Sequence, residues 1–273
     1  MTDPFRIRDH VADFAGQVAG YQQASAAARA SLPCLLDVSY GESEAEKMDI
    51  FLPATPAGAL PIHLFVHGGY WRSFSRKDYS FIADSVTALG AVAAIIDYAL
   101  MPAVRMETLV AQVRRAASWL AENANVFGGD ATRMSASGHS AGAHLACYLG
   151  ARAPHEQNVP LPRVKNLLLV SGIYDLEPIT KSFLQQEIML TGQEVTGRSP
   201  ISANWTDVAA TVVVGQHETA PFHMQAKQLA NDRVITVAGE EHMSIVRSLG
   251  TQGSTMSALL AKTIAASLSQ IPD

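Results

Sequence analysis

Short runs of β-branched and apolar residues alternate with helix-length amphipathic stretches along most of this chain, and few folds survive that constraint. Residues 35–40 and 48–52 read as two strands around Gly41, a candidate hairpin. Residues 62–66, 92–96, 134–137, 167–170, 212–214 and 234–237 read as further strands, three of them fully apolar. Between them, residues 106–123 carry apolar positions at Leu109, Val113, Ala116, Ala117 and Leu120, the spacing of one helix face. Residues 24–30, 141–152, 222–230 and most of 245–268 also read as helix, with a turn at Gly128-Gly129-Asp130. Strands separated by helices of ten or more residues build βαβ units. The expected architecture is therefore α/β: a mostly parallel central sheet of about eight strands with helices on both faces.

Composition agrees with a large core. The 273 residues are 48% hydrophobic and 16% charged, with a formal net charge of −5. That excludes disorder as the dominant state and argues against the basic footprint of a nucleic-acid binder. Cys34 and Cys147 are too few for a disulfide framework. The start, Met1-Thr2-Asp3-Pro4, carries an early acid and no apolar run, so no secretory signal is expected. The longest near-apolar stretch, residues 88–100, is broken by Gly90 and Asp97 and is too short to span a bilayer. A soluble cytoplasmic protein is expected, with no membrane and no nucleic-acid partner.

In parallel α/β sheets, chemistry sits in the loops beyond the carboxyl ends of the strands. Here those ends carry His67-Gly68-Gly69, Asp97-Tyr98, Ser140, Tyr174-Asp175, Glu218 and His242. Gly138-His139-Ser140-Ala141-Gly142 fits G-x-S-x-G between a strand and an Ala-rich helix. A serine on such a turn projects its hydroxyl at a helix N-terminus, and the flanking glycines allow the chain to pass close by. Without partners the same pattern would be only a glycine-rich turn.

A serine nucleophile needs a base and an acid. His242 follows the last strand and precedes the last long helix, which favours it as base over a surface histidine. His63 lies within a strand and is expected to be a satisfied core residue, and His67 to shape its own loop. His139 and His144 flank the serine and are expected to line or brace the pocket. The chain order serine, acid, histidine leaves Asp175, Asp207 and Glu218 as acids. Asp207 precedes a strand and falls at the wrong edge. Glu218, just after a strand, is preferred, with Asp175 as the alternative acid, which would otherwise cap its loop. The oxyanion donors are expected at Gly69, Tyr70 and Ala141, with Gly68 allowing the bend. Trp71, His139 and Tyr174 are candidate pocket residues, and the aromatic ones among them could equally be core, a reading favoured for Trp71. No zinc-ligand spacing, dinucleotide fingerprint or P-loop is present, so neither metal nor cofactor is expected.

With these residues in view, the chain resembles the α/β-hydrolase superfamily over nearly its whole length. His67-Gly68-Gly69-Tyr70-Trp71 is similar to the HGGxW motif of the kynurenine formamidase (arylformamidase) family. Phe127-Gly128-Gly129-Asp130, the stretch from Gly138 to Leu145 and residues 190–200 resemble the same group. The resemblance carries the triad onto Ser140, Glu218 and His242, with a glutamate where aspartate is commoner. Tyr70 stands where lipase-like esterases have a third glycine. The resemblance implies hydrolysis of N-formylkynurenine or another aryl formamide, a small and aromatic amide or ester substrate, and no cofactor. A short-chain carboxylesterase or thioesterase is the alternative enzyme, and a non-catalytic ligand-binding member of the fold is the alternative of another class. One domain over residues 1–273 is expected, with a helical extension over 1–30 and a short cap within 172–200. A homodimer is compatible with this reading.

Overall fold

The computed structural model of the chain describes residues 2–267. Its centre is an eight-stranded sheet. The strands in chain order are β1 (Cys34–Ser39), β2 (Lys47–Phe51), β3 (Leu60–Val66), β4 (Val92–Ile96) and β5 (Gly129–His139), followed by β7 (Asn166–Val170), β9 (Ala209–Gly215) and β10 (Ile235–Val237). Two further short strands, β6 (Ala151–Arg152) and β8 (Asn204–Trp205), pair with each other outside it. The order across the main sheet is β1-β2-β4-β3-β5-β7-β9-β10. β1 and β2 form the antiparallel hairpin expected around Gly41, β2 runs antiparallel to β4, and all later pairings are parallel.

The helices are α1 (Phe14–Ser31), α2 (Arg76–Tyr79), α3 (Ile82–Ala88), α4 (Met106–Glu122), α5 (Ala141–Cys147), α6 (Gln185–Ile188), α7 (Gly192–Gly197), α8 (Ala220–Ala230), α9 (Ser244–Leu249) and α10 (Thr255–Ala266). α4 buries Leu109, Val113, Ala116, Ala117 and Leu120, the face its apolar spacing marks. The central strands β3 and β4 are buried throughout, which explains the unbroken apolar run of β4 and the run of β3 interrupted only at His63.

Three segments differ from the sequence expectation. The helix expected over 141–152 stops at Cys147 because tertiary partners take its carbonyls. Arg114 donates to Tyr148 O at 2.8 Å and to Ala151 O at 2.9 Å, and Thr206 donates to Gly150 O. β5 starts at Gly129, five residues before the apolar run, because Asp130, Thr132 and Arg133 extend it at a partly exposed end. Gly129 and Asp130 are thus strand, and only Gly128 turns, at φ 73°. The last helix is split between α9 and α10, where Gly250 and Gly253 intervene and Ser254 caps the second piece by accepting from Ser257 N at 2.9 Å. Leu268, the end of the expected helix, lies outside the described residues.

The topology locates the crevice. From β3 the chain moves to β4 on one side, then crosses back to β5 on the other side of β3 and continues outward. The loops that leave β3 and β5 therefore diverge, and a cleft opens beyond their carboxyl ends. His67-Gly68-Gly69 leaves β3 there and Ser140 leaves β5 there.

Candidate active site

Ser140 has φ 55° and ψ −121°, a backbone conformation that non-glycine residues rarely adopt. The neighbouring glycines make that turn possible. A Cβ on Gly142 would lie 2.1 Å from Val66 O, and one on Gly138 would lie 2.3 Å from Gly142 O. The backbone of the turn thus packs directly on β3. Ser140 N donates to Val170 O at 2.9 Å, and α5 begins at the next residue.

Glu218 and His242 meet after β9 and β10. His242 Nδ1 lies 2.7 Å from Glu218 Oε2 in a buried pair. The second Glu218 oxygen accepts from Ser171 Oγ and, at 3.5 Å, from Gly215 N. The imidazole lies between two rings, Phe222 at 4.5 Å and His139 at 4.7 Å between centroids. His139 Nε2 donates to His242 O at 2.9 Å, which fixes the backbone of the histidine as well. Burial, reinforced by the His242 ring, holds His139 well below the usual imidazole range, so it is neutral. Nε2 of His242 has no hydrogen-bond partner among the described residues. His242, His139 and Ser140 line one cavity of about 530 Å³.

Asp175, the alternative acid, is placed elsewhere. Its carboxylate accepts from Glu177 N at 3.0 Å and caps that loop. The geometry brings Glu218, and not Asp175, to His242.

The loop after β3 is wound tightly. Gly69 has φ 111°, and a Cβ there would lie 2.1 Å from Ser73 O. Tyr70, Trp71 and Phe74 also have positive φ. Gly69 and Tyr70 line the cavity, and their amide N–H groups donate to no acceptor among the described residues. Ala141 follows the serine at the first position of α5, where a helix leaves its N–H groups unpaired. Gly68 packs on Ser140 itself, since a Cβ on it would lie 3.3 Å from Ser140 Cβ. His67 shapes this loop as expected: its Nδ1 donates to Gly68 O at 2.7 Å, and its ring stacks on Tyr98 at 4.3 Å. His63 is a core residue held at 2.9 and 2.7 Å by the hydroxyls of Ser135 and Ser137.

Trp71 and Tyr174 do not line the cavity as their candidacy for the pocket expects; both take the core alternative, the one favoured for Trp71. Both are fully buried. Trp71 Nε1 donates to His144 Nδ1 at 3.2 Å, and His144 Nε2 donates to Arg198 O at 2.7 Å. The indole thereby ties the loop after β3 to α5. Tyr174 packs its ring on Gly172, and Gln225 Oε1 accepts from its backbone N at 2.6 Å. Their places at strand ends serve packing.

The residues that cover the cavity come from the N-terminal segment, expected only as a helical extension, and from residues 172–200, where a short cap is expected. Ile7, Phe14 and Val18 of the N-terminal segment line it, with Phe183 and Glu187 from residues 172–200. The N-terminal segment is fastened across the site. Tyr70 Oη donates to Phe5 O at 2.5 Å, Phe183 N to Asp3 Oδ2 at 2.6 Å, Thr219 Oγ1 to Pro4 O at 2.8 Å, and Tyr21 Oη to Met243 O. No local pattern marks these contacts. Ser171 was also missed, although it follows the strand 167–170 directly and a stricter survey of strand ends finds it.

Sheet order, elbow serine and the histidine after the last strand together define an α/β-hydrolase fold. A Silicibacter sp. TM1040 protein described as a thioesterase superposes with TM-score 0.83 at 24% identity, over 96% of this chain and 97% of that one. A thermophilic carboxylesterase from a metagenomic library superposes with TM-score 0.69 at 19% identity, over 98% and 99%. Residues 48–221 match the BD-FAE family model. A kynurenine formamidase of Danio rerio is 31% identical over 253 residues, 87% of this chain and 84% of that protein. One from Salmo salar is 29% identical over 262 residues, 90% and 87%. The chain belongs to this kynurenine formamidase-like, BD-FAE family of α/β-hydrolases, and it is a hydrolase. Among the described residues no helix is long and apolar enough to cross a membrane.

Proposed function

We propose that the chain hydrolyses an aryl formamide such as N-formylkynurenine through a serine acyl-enzyme. The observation that carries this reading is the buried 2.7 Å bond between His242 Nδ1 and Glu218 Oε2, beside a cavity that Ser140 shares. Glu218 holds the ring with Nδ1 protonated, so Nε2 is the basic nitrogen. As His242 Nε2 removes the Ser140 proton, Oγ attacks the formyl carbon and the carbonyl electron pair moves to oxygen. The N–H groups of Gly69, Tyr70 and Ala141 receive that oxyanion. The imidazolium then protonates the leaving nitrogen, the C–N bond breaks and the arylamine departs. Water, deprotonated by the same nitrogen, attacks the formyl ester and releases formate and Ser140.

An aryl formamide suits this site for two reasons. An arylamine leaves more readily than an alkyl amine, and a formyl group needs little space beside the elbow. The apolar cover of Ile7, Phe14 and Phe183 suits an aromatic leaving group. The formamidase relatives support the same substrate class.

Ester hydrolysis is the second reading. It is supported by the same acyl-transfer geometry and by shorter matches to ester hydrolases, such as an Arabidopsis thaliana isoprenylcysteine methylesterase 28% identical over 152 residues. A side-by-side assay of N-formylkynurenine and short p-nitrophenyl esters separates the two. The formamide reading expects a higher kcat/KM for N-formylkynurenine, and a pronounced preference for the esters overturns it.

A further inference from the structure

The cavity above Ser140 is cationic in a chain whose formal net charge is −5. Three guanidinium groups line it, from Arg6, Arg8 and Arg72, against one carboxylate, Glu187. They differ in what they already bind. Arg72 Nε is paired with Glu187 Oε2 at 2.6 Å. Arg6 lies 4.2 Å over the Phe183 ring and 3.8 Å from Asp9. Arg8 is exposed, and its guanidinium lies 5.7 Å from the centroid of Phe14, another cavity residue. Among the described residues no carboxylate or carbonyl accepts from Arg8.

A cation placed on an aromatic wall, with its hydrogen-bonding fork unspent, is suited to a planar anion. The segment that carries it is held over the site by the bonds from Tyr70 to Phe5 and from Thr219 to Pro4. Arg8 is therefore presented to the cavity by a fastened roof.

We infer that Arg8, supported by Arg6, forms an anion-binding subsite at the roof of the cavity, which receives a carboxylate on the leaving-group part of the substrate. This rests on the acyl-transfer reading above, because that reading puts the small acyl group at Ser140 and the leaving group toward the roof. N-formylkynurenine carries such a carboxylate on the side chain of its leaving arylamine, and the assignment gives that group a partner, Arg8.

A matched pair of esters tests it: 4-acetoxybenzoate, which carries the carboxylate, and its neutral methyl ester. The quantity read is the ratio of their kcat/KM values. The wild-type chain is expected to favour the carboxylated ester, with the preference falling as NaCl is raised from low salt to 0.5 M. Arg8→Gln is expected to lower the ratio about tenfold, mainly through KM, the scale of one charge-assisted hydrogen bond. A ratio that Arg8→Gln leaves unchanged overturns the subsite. Benzoate and benzamide binding to the wild-type and Arg8→Gln chains, followed by calorimetry, reads the subsite without turnover. If neither ester is hydrolysed, N-formylkynurenine turnover judges the acyl-transfer reading and the binding measurement judges the subsite: benzoate affinity lost in Arg8→Gln supports it, and affinity unchanged in Arg8→Gln overturns it. Equal binding of benzoate and benzamide overturns it.

Discussion

Glu218 spends both carboxylate oxygens, one on His242 and one on Ser171 and Gly215 N. That division argues for different costs at neighbouring positions. Glu218→Gln keeps the shape but removes the charge that stabilises an imidazolium, so kcat should fall by about a thousandfold or more. Asp175→Asn, which alters only a loop cap, should cost less than about tenfold. Steady-state assays of the two variants check this, and the reverse ranking would move the acid to Asp175. Ser171→Ala removes a donor to a charged acceptor and should lower kcat about tenfold with KM little changed. A change confined to KM would contradict a positioning role for the hydroxyl. At this scale, the placing of Glu218 against His242 beside the cavity that Ser140 lines was legible because each of the three stands at a strand end in a fixed chain order. Trp71 and Tyr174 were not, since an aromatic residue at a strand end can turn toward ligand or core, and that choice is made by distant partners such as His144 and Gln225.

At the scale of elements, the elbow depends on β5, α5 and β3 approaching without side chains between them. Gly142→Ala would put a methyl group 2.1 Å from Val66 O, so strand or helix must move. The expected cost is about 3 kcal/mol of unfolding free energy, at the upper end for overpacked sites, with loss of activity. Denaturant unfolding measures it, and a variant as stable as the parent would show that the close approach is absent. The strand set was readable for the same reason that this packing is tight: buried parallel strands have no polar face to blur the pattern. The short α2 and α3 and the early stop of α5 were not readable. They are set by side chains remote in sequence, among them Asp49 and Asp97 on Arg76 and Arg114 on the carbonyl of Tyr148.

For the whole molecule, four buried histidines set a limit on acid stability. Burial lowers His63 to about 3 and His144 to about 4, and also lowers His67 and His139. In the unfolded chain these imidazoles take up protons near pH 6.5, whereas the folded chain excludes them. The unfolded state therefore binds more protons as pH falls, and stability must fall with it. The stability is whole above about pH 6.5 and is lost progressively toward the folded-state values, by about 1.4 kcal/mol per imidazole for each pH unit at most. Urea unfolding at pH 7.5 and 5.5 should show a clear loss, and equal stabilities would mean that the histidines are not held neutral. The cover of the cavity also belongs to this scale. Residues 3–21 reach Thr219, Phe183 and Met243 across the full length of the chain, so their role emerges only in the folded structure.

The central claim is that Ser140 performs the chemistry. Turnover of N-formylkynurenine by the wild-type chain and by Ser140→Ala, measured together on folded protein, tests it most directly. The parent is expected to release formate rapidly, and the variant to lose at least about ten-thousandfold of that rate. Formate release that persists in Ser140→Ala would contradict it.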